Sequence, residues 1–165
     1  QDAADPQDAG GAGNRGGRSS HHVSFVREFE VRWADVDPNM HLRASVYTDL
    51  ADATRVAYFN EHDYPFTKLL EERIGPVLFS VESEFYREVL LGETIRVNLV
   101  VEAERSRRRK WTLRHEFWNV RGKKAARLRV HGAWLDLDAR RVTEPPERLR
   151  AVIDTIPRDP DGEQS

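Results

Sequence analysis

A chain of 165 residues is long enough for one domain with a proper core and short for two. Hydrophobic residues at 39% beside charged residues at 33% describe a soluble domain with a heavily charged surface, and the formal charge of -2 gives no global pull toward nucleic acid or anionic membranes. No run approaches the roughly 18 apolar residues of a membrane span. Cysteine is absent, which excludes a disulfide framework and any cysteine-ligated metal site. With no signal-peptide-like apolar stretch at the N-terminus, this composition fits a cytoplasmic protein.

Residues 1–22 are rich in Gly, Ala, Asp and Gln without periodicity, and are expected to form a disordered tail. From Val23 the pattern alternates: Phe25, Phe29, Val31 and Trp33 share one face of a strand, with Arg27 the one charge among them. The strand runs into two acids spaced one apart, Asp35 and Asp37, and a Pro38-Asn39 turn. Ala44 to about Asn60 then reads as a helix with a broad apolar arc including Val46, Tyr47, Leu50, Ala51, Thr54 and Tyr58, and with Asp49, Asp52 and Arg55 on the other side. Ser45 or Asn39 is a candidate cap.

Phe66 to Arg73 suggests a further helical turn before Gly75-Pro76. The rest is strand-like: Val77–Val89, then Thr94–Ala103 after a Leu91-Gly92-Glu93 turn, Trp111–Asn119 after the basic turn Arg105–Lys110, and Ala125–Leu137 after Arg121-Gly122-Lys123. The alternation of the last strand shifts near Gly132, as a bulge or close backbone approach requires. Pro145-Pro146 opens a short helix, and residues 158–165 form a polar tail. One strand, one long helix and four antiparallel strands make a two-layer α+β domain over residues 23–157, the helix wrapped by the sheet. One helix cannot cover five strands and leaves edges unpaired, so a homodimer or a dimer of dimers is expected.

The chemistry concentrates where the first strand meets the helix. Helix N-termini offer unpaired N–H groups and partial positive charge, so a carboxylate there stands beside a ready-made oxyanion site, a layout suited to acyl transfer. Asp37 is the candidate acid, with a turn-forming Asx role as its alternative. Asp35 reads as structural. His41 is placed either to polarise a carbonyl or to shape the turn, and a backbone N–H near Arg43 or Ala44 would hold an oxyanion. His115, between Leu113 and Phe117, reads as a buried structural histidine. No His pair has ligand spacing, so no metal is expected. No glycine-rich phosphate loop implies a nucleotide cofactor, and no Gly-x-Ser-x-Gly elbow is present. The isolated basic turn on a net-acidic chain makes a poor nucleic-acid footprint.

The segment Val31-Arg32-Trp33-Ala34-Asp35-Val36-Asp37-Pro38-Asn39-Met40-His41-Leu42 resembles the signature of hotdog-fold acyl-CoA thioesterases of the 4-hydroxybenzoyl-CoA thioesterase type. Tyr47 matches the family's helix Tyr. Asp52 and Arg55 match an acid and an Arg frequent later in that helix. Leu91-Gly92-Glu93 resembles its Gly-Asp turn, and Arg107-Arg108-Arg109-Lys110-Trp111 its basic strand start.

The resemblance spans about Val23 to Leu137. It implies a hotdog fold and hydrolysis of an acyl-CoA thioester, with CoA arriving as part of the substrate and no separate cofactor. Asp37 would be the acting carboxylate, as base or nucleophile, and Tyr47 would lie in the substrate pocket. Arg107, Arg108 and Arg109 would meet the CoA phosphates through charge-assisted bonds, unless they are only a solvated turn. Asp49 or Asp52 would stand in for the acidic helix residue of another branch. The family's turn Gly is Met40 here, so Asn39 is expected to take the left-handed conformation in its place. A non-catalytic acyl-CoA or lipid-binding dimer is the alternative function. A hotdog dehydratase would want a His-acid pair that the sequence does not display.

Overall fold

The computed structural model describes residues 24–102, 105–106 and 109–158. The expected N-terminal tail, the C-terminal tail beyond Arg158, and Arg107 and Arg108 lie outside them. The elements are β1 (Phe25–Glu30), α1 (Ala44–Glu61), α2 (Phe66–Glu71), β2 (Ile74–Phe85), β3 (Thr94–Val101), β4 (Lys110–Trp118), β5 (Lys124–Asp136), β6 (Arg141–Thr143) and α3 (Glu147–Asp154). The strands form one antiparallel sheet in the order β1-β3-β4-β5-β2, and short β6 continues on β5 beyond the reach of β4.

α1 lies on this sheet because its stripe of Val46, Tyr47, Ala51, Thr54, Arg55, Tyr58 and Phe59 is buried. The core has two halves along the helix. One groups Val46 and Tyr47 with Ile95, Phe117 and Leu128; the other groups Tyr58 and Phe59 with Leu99, Leu113, Trp134 and Leu149. This is the expected α+β hotdog architecture. Arg55 departs from its assigned polar face: it falls on the inward stripe, four residues from both Ala51 and Phe59, and is 8% exposed.

The first strand ends at Glu30, short of Trp33, which instead enters a 3-10 turn (Trp33–Asp35) and is 73% exposed. Asp35 explains the early stop. Its carboxylate accepts the backbone N–H of Arg32 at 2.9 Å and the guanidinium of the same residue, and this local closure competes with continuing the ladder. The Arg32 guanidinium also holds the Asp35 carboxyl below its ordinary range.

β2 runs Ile74–Phe85, earlier than the expected Val77–Val89, and forms one edge of the sheet. From Leu78 to Phe85 every residue is exposed, including Phe79 at 55% and Phe85 at 51%. Register slips between Leu78 and Ser80, opposite Gly132. A Cβ at Gly132 would stand 2.4 Å from the Trp111 ring and 2.6 Å from the Val77 carbonyl oxygen. The close approach expected at this glycine is therefore present, together with a bulge in its partner strand.

After β6 the chain returns across α1. The Val101 N–H donates to the Pro157 carbonyl at 2.8 Å, Tyr58 and Thr155 share a hydroxyl bond of 2.6 Å, and Leu149 is fully buried. Among the described residues no helix is long and apolar enough to cross a membrane.

Candidate active site

The turn before α1 is built by Asp37. Its Oδ1 accepts the N–H groups of Asn39 at 2.8 Å and His41 at 3.1 Å, while its backbone exchanges bonds with His41 and Met40 at 2.9 Å each. Leu42 N–H to Val89 O at 2.8 Å and Leu91 N–H to Met40 O at 3.2 Å lash the turn to the segment after β2. Asp37 is half-buried, and no hydrogen bond from the described residues reaches its Oδ2. Met40, not Asn39, takes the left-handed conformation, with φ 65°. The Asp37 carboxylate holds the chain on both sides of that position, at Asn39 and His41.

His41 faces Glu88, Nε2 to Oε2 2.5 Å, with both side chains partly exposed. The cap of α1 is Arg43, without a side-chain cap bond, so neither Ser45 nor Asn39 serves. The Arg43 N–H is committed to the Asp35 carbonyl at 2.9 Å and its guanidinium to the Ala34 carbonyl at 2.8 Å. That removes Arg43 as an oxyanion donor. Ala44, exposed at the first helical position, keeps an N–H with no acceptor inside the helix.

Tyr47 is 3% exposed and packs edge-on against Phe85 and Phe117, at centroid distances of 5.2 Å and 5.0 Å; burial pushes its phenol up to about 12. Within one chain it belongs to the core beneath the turn.

A cavity of about 720 Å³ lies at the other end of α1, within the usual range for a small-ligand site. Its apolar walls are Val56 and Phe59 of α1, Leu78 of β2, Trp111 of β4, Trp134 of β5 and Ile153 of α3. Asp37, His41, Ala44 and Tyr47 are not among its lining residues. The first α1 residue of the lining is Asp52, about 12 Å along the helix from Ala44, so within one chain the Asp37 turn stands apart from this space.

Two polar residues of α1, Asp52 and Arg55, do face it. Arg55 donates to His115 Nε2 at 2.8 Å and pairs with Asp52, and His115 Nδ1 donates to the Asn98 carbonyl at 2.7 Å. These partners make His115 the neutral Nδ1–H tautomer. Complete burial, reinforced by the facing guanidinium, pushes its pKa down to about 3, and burial also draws Arg55 down to about 10.

Of the basic turn, Arg109 is exposed, with its carbonyl accepting the Trp134 N–H at 3.3 Å. Lys110 lines the cavity, its Nζ 5.7 Å from the Phe79 ring centroid. Asp49 is exposed and outside the lining. The cavity itself escaped the sequence reading. Its one signal is a glycine in mid-strand opposite the Trp near the start of the neighbouring strand.

The description of the thioesterase-like superfamily matches residues 31–153. The chain belongs to that superfamily. The hotdog architecture and the enzyme class, thioester hydrolase, are those expected from the resemblance carried by the Val31–Leu42 segment. No curated protein matches the chain. Among solved structures, a 1,4-dihydroxy-2-naphthoyl-CoA thioesterase from Synechocystis aligns with TM-score 0.72 at 16% identity, covering 79% of this chain and 96% of its own. A Staphylococcus aureus protein in complex with CoA gives 0.73 at 16%, covering 79% and 82%. A gentisyl-coenzyme A thioesterase gives 0.67 at 18%, covering 76% and 98%. At such identities the likeness to these structures is one of fold.

Proposed function

We propose that the protein hydrolyses acyl-CoA thioesters in a site completed by a second copy of the chain. One observation carries the reading: β2 is an exposed edge strand that starts at the cavity, with Pro76 and Leu78 in its lining, and ends at Phe85 beside Tyr47 and the catalytic turn. Antiparallel pairing of two β2 edges about a two-fold axis sets the end of one β2 against the start of the other. The Asp37 turn of each protomer then faces the cavity of its partner, and the apolar edge is covered.

In that composite site Oδ2 of Asp37 is the unengaged carboxylate oxygen, acting on the thioester carbonyl carbon directly or through a water molecule. The Ala44 N–H receives the developing oxyanion, a donor worth roughly 3–4 kcal/mol in comparable sites. His41, held by Glu88, borders the same turn. The acyl group occupies the cavity, and Arg107, Arg108 and Arg109, which precede the wall residue Lys110 in sequence, are proposed to meet the CoA phosphates. CoA enters with the substrate, and no further cofactor is required.

The test is thiol release from a panel of acyl-CoAs, wild type against Asp37→Asn. A loss of about 100-fold or more is expected for removing a positioned acid-base group; unchanged turnover refutes the assignment. Because Asp52 lines the cavity, a second reading makes it the acting carboxylate. Its bond to Arg55 argues against this, and Asp52→Asn in the same assay decides between the two. Saturable binding of acyl-CoA with no turnover in any protein would return the non-catalytic binding dimer.

A further inference from the structure

The cavity has a direction. Its lining crosses the sheet from Pro76 and Leu78 on β2, over Trp134 on β5 and Trp111 and Leu113 on β4, to Val101 on β3. Three strand spacings of about 4.8 Å put its two ends roughly 14 Å apart. The β2 end opens on the sheet edge, where the composite site places the partner's turn. The C-terminal strap leaves β6 beside Trp134 of β5 and reaches the β3 end at Arg158, contributing Pro145, Arg150, Ile153, Asp154, Ile156 and Arg158 to the lining on the way.

The strap is pinned over that end. Pro157 takes the Val101 N–H at 2.8 Å, and Arg158 bridges in parallel to Val101, on the side of β3 that β1 leaves open beyond Phe25. Tyr58 of α1 grips Thr155, and Leu149 anchors α3 in the core. The isoleucines turn inward, Ile156 being 3% exposed. The charged side chains reach solvent and are paired there, Arg158 with Asp154 at 3.0 Å and Arg150 with Glu144 at 3.2 Å. The strap thus presents isoleucines inward and holds its charged lining side chains in ion pairs of its own, which gives it the form of a wall.

We propose that this strap is the end wall of the acyl site and sets the length of apolar acyl chain the protein accepts, with Ile153 the residue that meets the distal end of the chain. The proposal rests on the cavity being the acyl site. A chain entering from the β2 edge runs across Trp111 and between Val56 and Ile153, and stops at the strap. One methylene more or less against such a wall is worth about ten- to 200-fold in discrimination.

The experiment compares wild type, Ile153→Ala and Ile153→Phe, each confirmed folded by its thermal transition, on straight-chain acyl-CoAs from butyryl to palmitoyl. The readout is the ratio of kcat/KM for long over short chains. Ile153→Ala is expected to raise it about tenfold and Ile153→Phe to lower it by a similar factor. Equal ratios in all three proteins overturn the proposal. If the wild type hydrolyses none of the series, the hydrolytic reading fails separately. Calorimetric titration with the matching non-hydrolysable thioethers then decides the strap: opposite shifts of the preferred length support it, and an unmoved or absent preference overturns it.

Discussion

Arg55 donates through a guanidinium nitrogen to His115 Nε2 at 2.8 Å, so a fully buried imidazole serves as acceptor for a buried cation. The folded protein therefore holds His115 neutral down to about pH 3, whereas the unfolded chain takes up the proton near the ordinary 6.5. Between those values acid favours the unfolded state. Stability fully present above about pH 6.5 is lost progressively as the pH falls toward 3, by an amount on the order of a few kcal/mol. Urea unfolding near pH 7 and near pH 5 is expected to show this loss above the range where carboxylates such as Asp35 titrate. His115→Gln should flatten the dependence; an equally steep variant would assign the loss to other groups.

Met40 occupies a left-handed conformation that costs an L-residue about 1–2 kcal/mol, and its partly exposed side chain recovers little of that by burial. Met40→Gly removes the strain and adds flexibility to the unfolded chain, a partial offset. A net gain of up to about 1 kcal/mol is expected, seen as a rise of roughly 2–4 °C in Tm. A lower Tm would mean that the side chain contributes more packing than its exposure suggests.

At Gly132 any added Cβ meets the Trp111 ring and the Val77 carbonyl. Gly132→Ala must push the indole upward, into the cavity. Overpacking of this kind costs about 1–3 kcal/mol, and binding of an apolar probe in the cavity should fall with the loss of stability. Urea unfolding checks the first effect, and fluorescence titration with a long-chain acyl-CoA checks the second.

The composite site predicts complementation between chains. Asp37→Asn keeps a sound cavity, while Leu78→Trp blocks the cavity and keeps a sound turn. Each homodimer should be nearly inactive. Co-expressed, the heterodimer holds one intact site, and random pairing is expected to return about a quarter of wild-type turnover. Activity that stays at the level of the homodimers would put turn and cavity to work within a single chain.

Element order and the sheet-wrapped helix were legible because period-2 and period-3.6 patterns report which face is buried. Local chemistry overrode the pattern in two places. Trp33 continued the alternation on paper, but Asp35 folded back on Arg32 and ended the strand. The charge of Arg55 points to the polar arc; the stripe of Ala51, Tyr58 and Phe59 includes it, and His115, sixty residues away in sequence, supplies the acceptor that makes its burial tolerable. The turn of Asp37 and His41 could be read, since its residues are adjacent. The cavity could not, because Phe59, Trp111, Trp134 and Ile153 meet only through tertiary packing.

The two oxygens of Asp37 divide its labour: one is a structural pin, clasping the amides of Asn39 and His41, and the other is spare. An asparagine keeps the pin, because its carbonyl oxygen can still receive both amides, and loses only the negative charge. An alanine loses both and lets the loop go. A drop in turnover seen with asparagine therefore reports on chemistry, whereas the same drop with alanine would report on a broken hinge as much as on a missing tool.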